Sequence, residues 1–187
     1  MQMKLVFGIL LAGILTDNYA LLHFLGTGAV IENERSTKRS LVLGLATTVV
    51  MVLCAAITWP LNKYLLEEVP YLQTMAFVIV VLVVVELLHL VGKKVLDNYC
   101  RADFVKFAIN GAVLGLCIHN AEHAYGEAVL TAAAVGIGVM LTMTLFAKIK
   151  DLPVDEDAIP ASFRGLPIAL LTAGMIALAL LALNFKF

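Results

Sequence analysis

The sequence predicts an all-α integral membrane protein, and its composition and the lengths of its uncharged runs carry that prediction. Of its 187 residues, 61% are hydrophobic and 14% are charged, whereas soluble domains carry about 25% charged residues. Uncharged runs extend over residues 40–62, 128–147 and 165–185. Each is close to the roughly 20 residues that a helix needs to cross the hydrocarbon core of a bilayer. The lipid bilayer is therefore the expected environment, and the net charge of −1 gives no reason to expect a nucleic acid as partner.

Six transmembrane helices account for the pattern of apolar runs. We place these spans at about residues 5–29, 41–59, 71–91, 104–118, 128–147 and 166–183. The loops between them hold breakers and charges, among them Pro60, Pro70 and the segments 32–39 and 151–160. The chain contains no stretch typical of a separate soluble domain, so it is expected to form one membrane domain.

Lysine and arginine fall mainly on one side of this predicted topology. The loops after spans one, three and five share a side and hold ten of the 13 basic residues, while the other side, termini included, holds three. Loops rich in Lys and Arg remain in the cytoplasm. Both termini are therefore expected on the extracytoplasmic side of a bacterial or archaeal cytoplasmic (inner) membrane.

Spans one and four are interrupted, and each opens one half of the chain. Asp17 and Asn18 break the first span, and Asn110–Gly111 lies within the short uncharged run of the fourth. Three spans per half invert the second repeat, about residues 101–187, relative to the first, about 1–100. Paired broken helices in an inverted repeat typically mark a binding site near the bilayer midplane.

Five polar residues are candidates for an ion or polar site at the midplane: Asp17, Asn18, Asn110, Glu86 and His89. A carboxylate at the centre of a span costs about 2.5–3.5 kcal/mol on insertion scales, so such residues usually face a polar interior. We interpret Asp17 as a cation ligand or proton carrier with Asn110 opposite it. Alternatively, Asp17 fills the helix break or pairs with a neighbouring protein of a complex.

Glu86 and His89 lie three residues apart and share a helix face. One interpretation is a proton or ion relay, because histidine titrates near neutral pH. The other is that both lie near the cytoplasmic end of span three, beside Lys93 and Lys94.

No catalytic residue and no metal site is expected on this chain. His119 and His123 flank Glu122 at the spacing of helical zinc ligands, but they lie at a short external loop with no third ligand nearby, which favours a structural or adventitious role. The cysteines Cys54, Cys100 and Cys117 have unrelated spacings. A buried free cysteine is usually only a small apolar side chain.

Six short segments occur in a characteristic order over nearly the whole chain. They are NYALLHFLG at 18–26, GLATT at 44–48, YLQTMAF at 71–77, NGAVLG at 110–115, PASFRG at 160–165 and IALLTAG at 168–174. Together these segments resemble the A-type membrane subunit of the Rnf electron-transport complex and its counterpart, the E-type subunit of the Na⁺-pumping NADH:quinone reductase Nqr.

The resemblance implies a role in electron transport across the membrane, coupled to Na⁺ or H⁺ translocation. It also implies that the partner is an inverted paralogous membrane subunit. In the family the two subunits together hold an iron–sulfur cluster, each giving two cysteines from a Leu-Gly-x-Cys-Pro motif and an Asn-Cys-Ala motif. Here those cysteine positions are Gly28 and Gly111, and glycine cannot ligate a [2Fe–2S] centre. No cofactor is therefore expected on this chain, and iron–sulfur and flavin groups would belong to partner subunits.

Two functions remain open at this point. In the first, the chain is a structural and ion-path subunit of an ion-translocating electron-transport complex of Rnf/Nqr type, at most a non-catalytic part of a translocase. In the second, the same inverted-repeat scaffold is a stand-alone ion or small-solute transporter, with Asp17 and Asn110 at the midplane.

Overall fold

The computed structural model describes residues 8–9, 13–14, 19, 25, 37–91, 109–150 and 160–184. Within these ranges every regular element is helical and no strand occurs, which confirms the all-α prediction. Most of predicted span one, the loop that follows span three, and the acidic loop before span six lie outside the described residues.

Five α-helices make up the described part of the chain. They are α1 (Thr37–Leu61), α2 (Gln73–Val91), α3 (Gly111–Asn120), α4 (Tyr125–Lys150) and α5 (Leu166–Asn184). A π-helical turn, Asn62–Leu66, extends α1, and 3₁₀ turns at Pro70–Leu72 and Ala161–Phe163 precede α2 and α5. These helices correspond to predicted spans two to six.

Three apolar stretches are long enough to cross a membrane. They are Ser40–Leu66, Pro70–Val91 and Tyr125–Ile149, and two shorter apolar stretches are Gly111–Asn120 and Pro167–Ala179. These stretches confirm the prediction of a multi-pass helical membrane protein. The count of six spans stays a prediction.

The carboxyl end of α1 differs from the sequence prediction. Pro60 was expected in a loop, but it lies inside α1, which continues to Leu61 and then widens into the π-helical turn. A proline inside a helix removes one backbone hydrogen bond, and π turns accommodate such local irregularities. The helical stretch therefore ends at Leu66 rather than near Trp59.

Helices α1 and α4 form the most extensive contact in the described structure. A Cβ atom added at Gly44 would lie 2.7 Å from Met140 Cγ and 2.9 Å from Met140 Cα. A Cβ added at Gly136 would lie 2.6 Å from Thr48 Cγ2 and 2.9 Å from Thr48 Cα. The order of contacts is reversed between the helices, so they run antiparallel. Small residues at such crossings allow close backbone approach, which favours helix association in lipid, where apolar surface alone gives no preference for protein over lipid.

Threonine hydroxyls within these helices are satisfied by the helix backbone itself. Thr47 donates to the Leu43 carbonyl at 2.9 Å, and Thr142 donates to the Gly138 carbonyl at 2.9 Å. Both side chains are buried. Because a polar group without a partner is costly in hydrocarbon, these local hydrogen bonds allow threonine to replace an apolar residue at buried positions of α1 and α4.

Candidate functional site

The short helix α3 begins at the position where the sequence predicts the break in span four. Asn110 is its N-cap, with an extended backbone (φ −126°, ψ 162°), and its side chain accepts a hydrogen bond from the Val113 N–H at 3.0 Å. This satisfies one of the donors that every helix start leaves without a helical partner. Asn110 therefore stabilises the start of α3.

A cleft of about 220 Å³ opens at the amino end of α3. Its lining residues are Val78, Val81, Ile109, Asn110, Gly111 and Leu114. The lining is apolar except for Asn110. Gly111 is exposed at the surface of the chain, so a group bound here would be accessible to a neighbouring protein of a complex.

The cleft does not fit an iron–sulfur cluster. Such a cluster needs thiolate or imidazole ligands, and Gly111 stands where the family resemblance implies cysteine. In the ranges that the structure describes, no group of three or more His, Cys, Asp or Glu side chains could hold a metal ion. The second family position, Gly28, lies outside the described residues. No electron-transfer step through this chain follows from its described residues.

Two residues of predicted span one contact α3. A Cβ at Gly115 would lie 2.8 Å from Leu25 Cδ1, and the Tyr19 ring meets the His119 ring edge-on, with centroids 6.3 Å apart. The Leu25 N–H donates a hydrogen bond to the Tyr19 carbonyl at 3.0 Å. The structure thus brings together Leu25 and Gly115, which belong to the two predicted interrupted segments.

The other midplane candidates lie apart from this cleft. Asp17 and Asn18 are outside the described residues. Glu86 and His89 are half-buried on α2, each interacts with another residue of the protein, and neither lines the cleft. Glu86 lies five positions after Val81, about 7.5 Å further along the helix. The site role of these residues stays a prediction.

His119 and His123 lie close together at the carboxyl end of α3. Their ring centroids are 4.9 Å apart, and His123 Nδ1 lies 3.1 Å from the His119 carbonyl oxygen. The Trp59 indole N–H donates to the His123 carbonyl at 2.6 Å. One ring nitrogen of His123 is thus engaged by the backbone, and the pair stabilises the carboxyl end of α3.

Aromatic side chains join α1 and α4 at the same end of the molecule. The Trp59 and Tyr125 rings meet edge-on with centroids 5.3 Å apart, and Lys63 Nζ lies 5.0 Å from the centre of the Trp59 ring. Tryptophan and tyrosine are enriched at membrane–water interfaces. This end of the helices therefore has the composition of a membrane boundary.

Two cysteines lie in the buried core of the described helices. Cys54 belongs to α1 and Cys117 to α3, two helices that contact each other. Both cysteines are buried and neither forms a disulfide.

Three of the described helices are long enough to cross a membrane, and the short helix α3 begins beside a surface cleft. These features define a multi-pass membrane protein. More particularly, the chain belongs to the Rnf-Nqr family, because the family model described as "Rnf-Nqr subunit, membrane protein" matches residues 6–186. The family resemblance seen in the sequence segments is thereby confirmed.

Curated relatives align with the chain over almost its whole length. It is 32% identical to the A-type subunit of the Na⁺-translocating ferredoxin:NAD⁺ oxidoreductase complex of Acetobacterium woodii, over 97% of both chains. It is 33% identical to the A-type subunit of an ion-translocating oxidoreductase complex from Syntrophotalea carbinolica, over 95% of both chains. The protein of the same name from Sodalis glossinidius is 34% identical over 89% of both chains.

Proposed function

We propose that this protein is the A-type membrane subunit of an ion-translocating electron-transport complex. The observation that carries the proposal is the end-to-end alignment with relatives that are named as the A-type component of such complexes. The alignment with the Acetobacterium woodii protein covers 97% of both chains, so nearly the whole length of this sequence has a counterpart there. The chain would then occupy the corresponding place in its own complex.

Within that complex the chain acts as a structural and ion-path subunit rather than an electron carrier. Gly111 stands at the amino end of α3 where a thiolate would be needed, and the cleft beside it is apolar apart from Asn110. Iron–sulfur and flavin groups are accordingly assigned to partner subunits, one of which is an inverted paralogue of this chain.

The reciprocal packing of α1 and α4 supports an inverted repeat. Gly44 and Gly136 are 92 residues apart, as are Thr48 and Met140. Each glycine packs against the non-glycine residue of the other helix, so exchanging the two helices reproduces the same contacts. A twofold axis between antiparallel helices is perpendicular to them, and for membrane-spanning helices it lies in the membrane plane. This is the symmetry of two repeats with opposite orientation.

The proposed topology places six spans in a bacterial or archaeal cytoplasmic membrane, with both termini outside the cytoplasm. The boundary-type residues Trp59 and Tyr125 mark one membrane surface. The segment 119–127 at the same end holds no lysine or arginine, as expected for an extracytoplasmic loop.

Purification of the tagged chain from its native membrane in mild detergent tests the assignment to a complex. Flavin- and iron–sulfur-bearing subunits in fixed ratio with the chain are expected. A colourless chain that purifies alone and takes up ions or a small solute in liposomes would contradict the proposal and favour a stand-alone transporter.

The ion path is tested by comparing Asp17→Asn with Asp151→Asn in the assembled complex. The first change removes a charge predicted to lie within span one, and the second removes one from the predicted cytoplasmic loop. We expect Asp17→Asn to lower ion transport per electron transferred, while Asp151→Asn leaves that ratio unchanged. Equal coupling ratios in the two variants would exclude Asp17 from the ion path.

A further inference from the structure

We propose that His119 and His123 bind a divalent transition-metal ion, such as Zn²⁺ or Cu²⁺, at the carboxyl end of α3. The pair is separate from the cleft at the amino end of the same helix, and the proposal does not depend on membership of an electron-transport complex. The sequence alone favours a structural or adventitious role for these residues. The structure adds the geometry of the two rings and the hydrogen bond of His123, and these observations carry the proposal.

The separation of the two rings suits a shared metal ion. Their centroids are 4.9 Å apart, and the ring planes are inclined to each other by 42°. Two imidazoles that bind one zinc ion through nitrogens at about 2.0–2.1 Å, in tetrahedral geometry, have ring centres about 5 Å apart. The rings of His119 and His123 are therefore already at the separation that a shared ion requires.

A hydrogen bond to the backbone selects the ligating nitrogen of His123. His123 Nδ1 lies 3.1 Å from the His119 carbonyl oxygen, and because a carbonyl oxygen only accepts, Nδ1 carries the proton of this bond. In the neutral ring the lone pair then lies on Nε2, the atom that remains for a metal ion. Histidines that ligate metals almost always donate the other ring N–H to such a partner. The outer partner of a metal ligand is therefore in place.

Both side chains can be reached by an ion from solution. His119 and His123 are exposed in the described structure. The His119 ring meets the Tyr19 ring edge-on, with centroids 6.3 Å apart, and this contact limits the orientations that the imidazole adopts. An accessible pair with restricted rings loses little freedom when it binds an ion.

The charges around the pair favour a cation. The segment 119–127 holds no lysine or arginine but contains Glu122 and Glu127. A positive charge is present at this end on Lys63, but its Nζ lies over the Trp59 ring, 5.0 Å from the ring centre, where the face of the indole attracts it. In the described ranges no third His, Cys, Asp or Glu completes a metal site with the pair. Water would therefore fill the other positions, and the site would be weaker than a closed zinc site with four protein ligands.

A bound ion would fasten the end of α3 to the loop that follows it. His119 belongs to α3, which ends at Asn120, whereas His123 lies beyond that end. The His123 carbonyl accepts the Trp59 indole N–H at 2.6 Å, so the loop is already held to α1. The ion would thus join α3 to a segment that α1 fixes, and it would stabilise the folded chain because it binds the folded form.

The test titrates zinc into the full chain, purified in mild detergent with a histidine-free tag and stripped of metal by a chelator that is then removed. Isothermal titration calorimetry should show one saturable site per chain. His119→Gln and His123→Gln should each weaken binding by at least the about 10–100-fold that loss of an outer partner of a metal ligand costs. Glu122→Gln, in the same loop, is the matched control and should change the affinity less than either histidine variant.

A second measurement reads the ligands directly in the unchanged chain. Cu²⁺ bound at the site should show hyperfine coupling to two nitrogens in its electron paramagnetic resonance spectrum, and zinc should displace it. Zinc should also raise the Tm of the unchanged chain but not that of either histidine variant. Absence of saturable zinc binding, or a zinc affinity that stays the same in both histidine variants, would overturn the proposal. A copper spectrum of the unchanged chain with fewer than two coupled nitrogens would overturn it as well.

Discussion

The close contact between α1 and α4 predicts that one added methyl group at Gly136 destabilises the protein. In Gly136→Ala the new Cβ would lie 2.6 Å from Thr48 Cγ2 and 2.9 Å from Thr48 Cα, whereas ordinary contacts begin near 3.4 Å. Because one clashing atom belongs to the backbone, rotation of a side chain cannot relieve the contact and the helices must separate. Overpacking costs about 1–3 kcal/mol, and a clash with backbone corresponds to the upper end of that range.

Replacing glycine by alanine also makes the helical conformation of α4 more favourable. This gain offsets part of the cost of the clash in the free energy of unfolding. Alanine is about 1 kcal/mol more favourable than glycine inside a helix, so we expect Gly136→Ala to destabilise by about 2 kcal/mol. Gly174 in α5 is the matched control, since nothing lies within 4 Å of a Cβ added there. Gly174→Ala should show only the gain in helix propensity and stabilise the protein by about 1 kcal/mol.

The assay is thermal unfolding of the purified chain or complex in detergent, followed by size-exclusion chromatography. One kcal/mol corresponds to about 2–4 °C in a chain of this length, so the Tm should fall by about 4–8 °C in Gly136→Ala and rise by about 2–4 °C in Gly174→Ala. Gly44→Ala should resemble Gly136→Ala, and the double variant should lose less than the sum, because one separation of the helices accommodates both methyl groups. Equal Tm changes in Gly136→Ala and Gly174→Ala would refute this account of the contact.

Three further outcomes follow from the site and its surroundings. Trp59→Phe removes a 2.6 Å hydrogen bond and should destabilise the protein by about 1 kcal/mol, measured as a fall in Tm. Tyr64→Phe, at an exposed position, should leave the Tm unchanged, and equal effects of the two variants would contradict the role of the indole N–H. Asn110→Ala should lower the stability of the protein by about 0.5–2 kcal/mol through loss of the N-cap, whereas Asn110→Asp keeps a capping oxygen and should be less destabilised. If both variants have the same Tm, this side chain does not stabilise the protein as an N-cap. Gly28→Cys with Gly111→Cys should increase the iron–sulfur absorbance of the purified complex above that of its partner subunits, and neither single change should do so. An unchanged spectrum would show that other residues also prevent cluster binding.

Hydropathy predicted the helices well and their mutual contacts poorly. The predicted spans 71–91 and 166–183 agree closely with the stretch Pro70–Val91 and with α5, Leu166–Asn184. Apolar length is a direct consequence of bilayer thickness, so it is readable from one sequence. Pro60 was misplaced because proline usually ends helices in water, whereas α1 continues past it into a π-helical turn.

Contacts between helices leave little trace in a sequence of this kind. A helix that is apolar on all sides has no polar face to show which side is buried. The packing of Gly44 against Met140, 96 positions further along the chain, therefore could not be read from spacing. The start of α3 coincides with the predicted interruption of span four, where the structure shows Asn110 as the N-cap. Asparagine is a preferred N-cap residue, so this polar residue in an otherwise apolar run was a readable signal.

The position of Trp59 gives the protein an intrinsic optical probe. It is the only tryptophan in the chain, and it touches three separate elements at once: Tyr125 at the start of α4, the His123 carbonyl after α3, and Lys63 in the π-helical turn. Fluorescence excited at wavelengths that tyrosine does not absorb comes from this indole alone. A change in its emission maximum during turnover would therefore report relative movement of α1 and α4 at the membrane boundary, without any attached label.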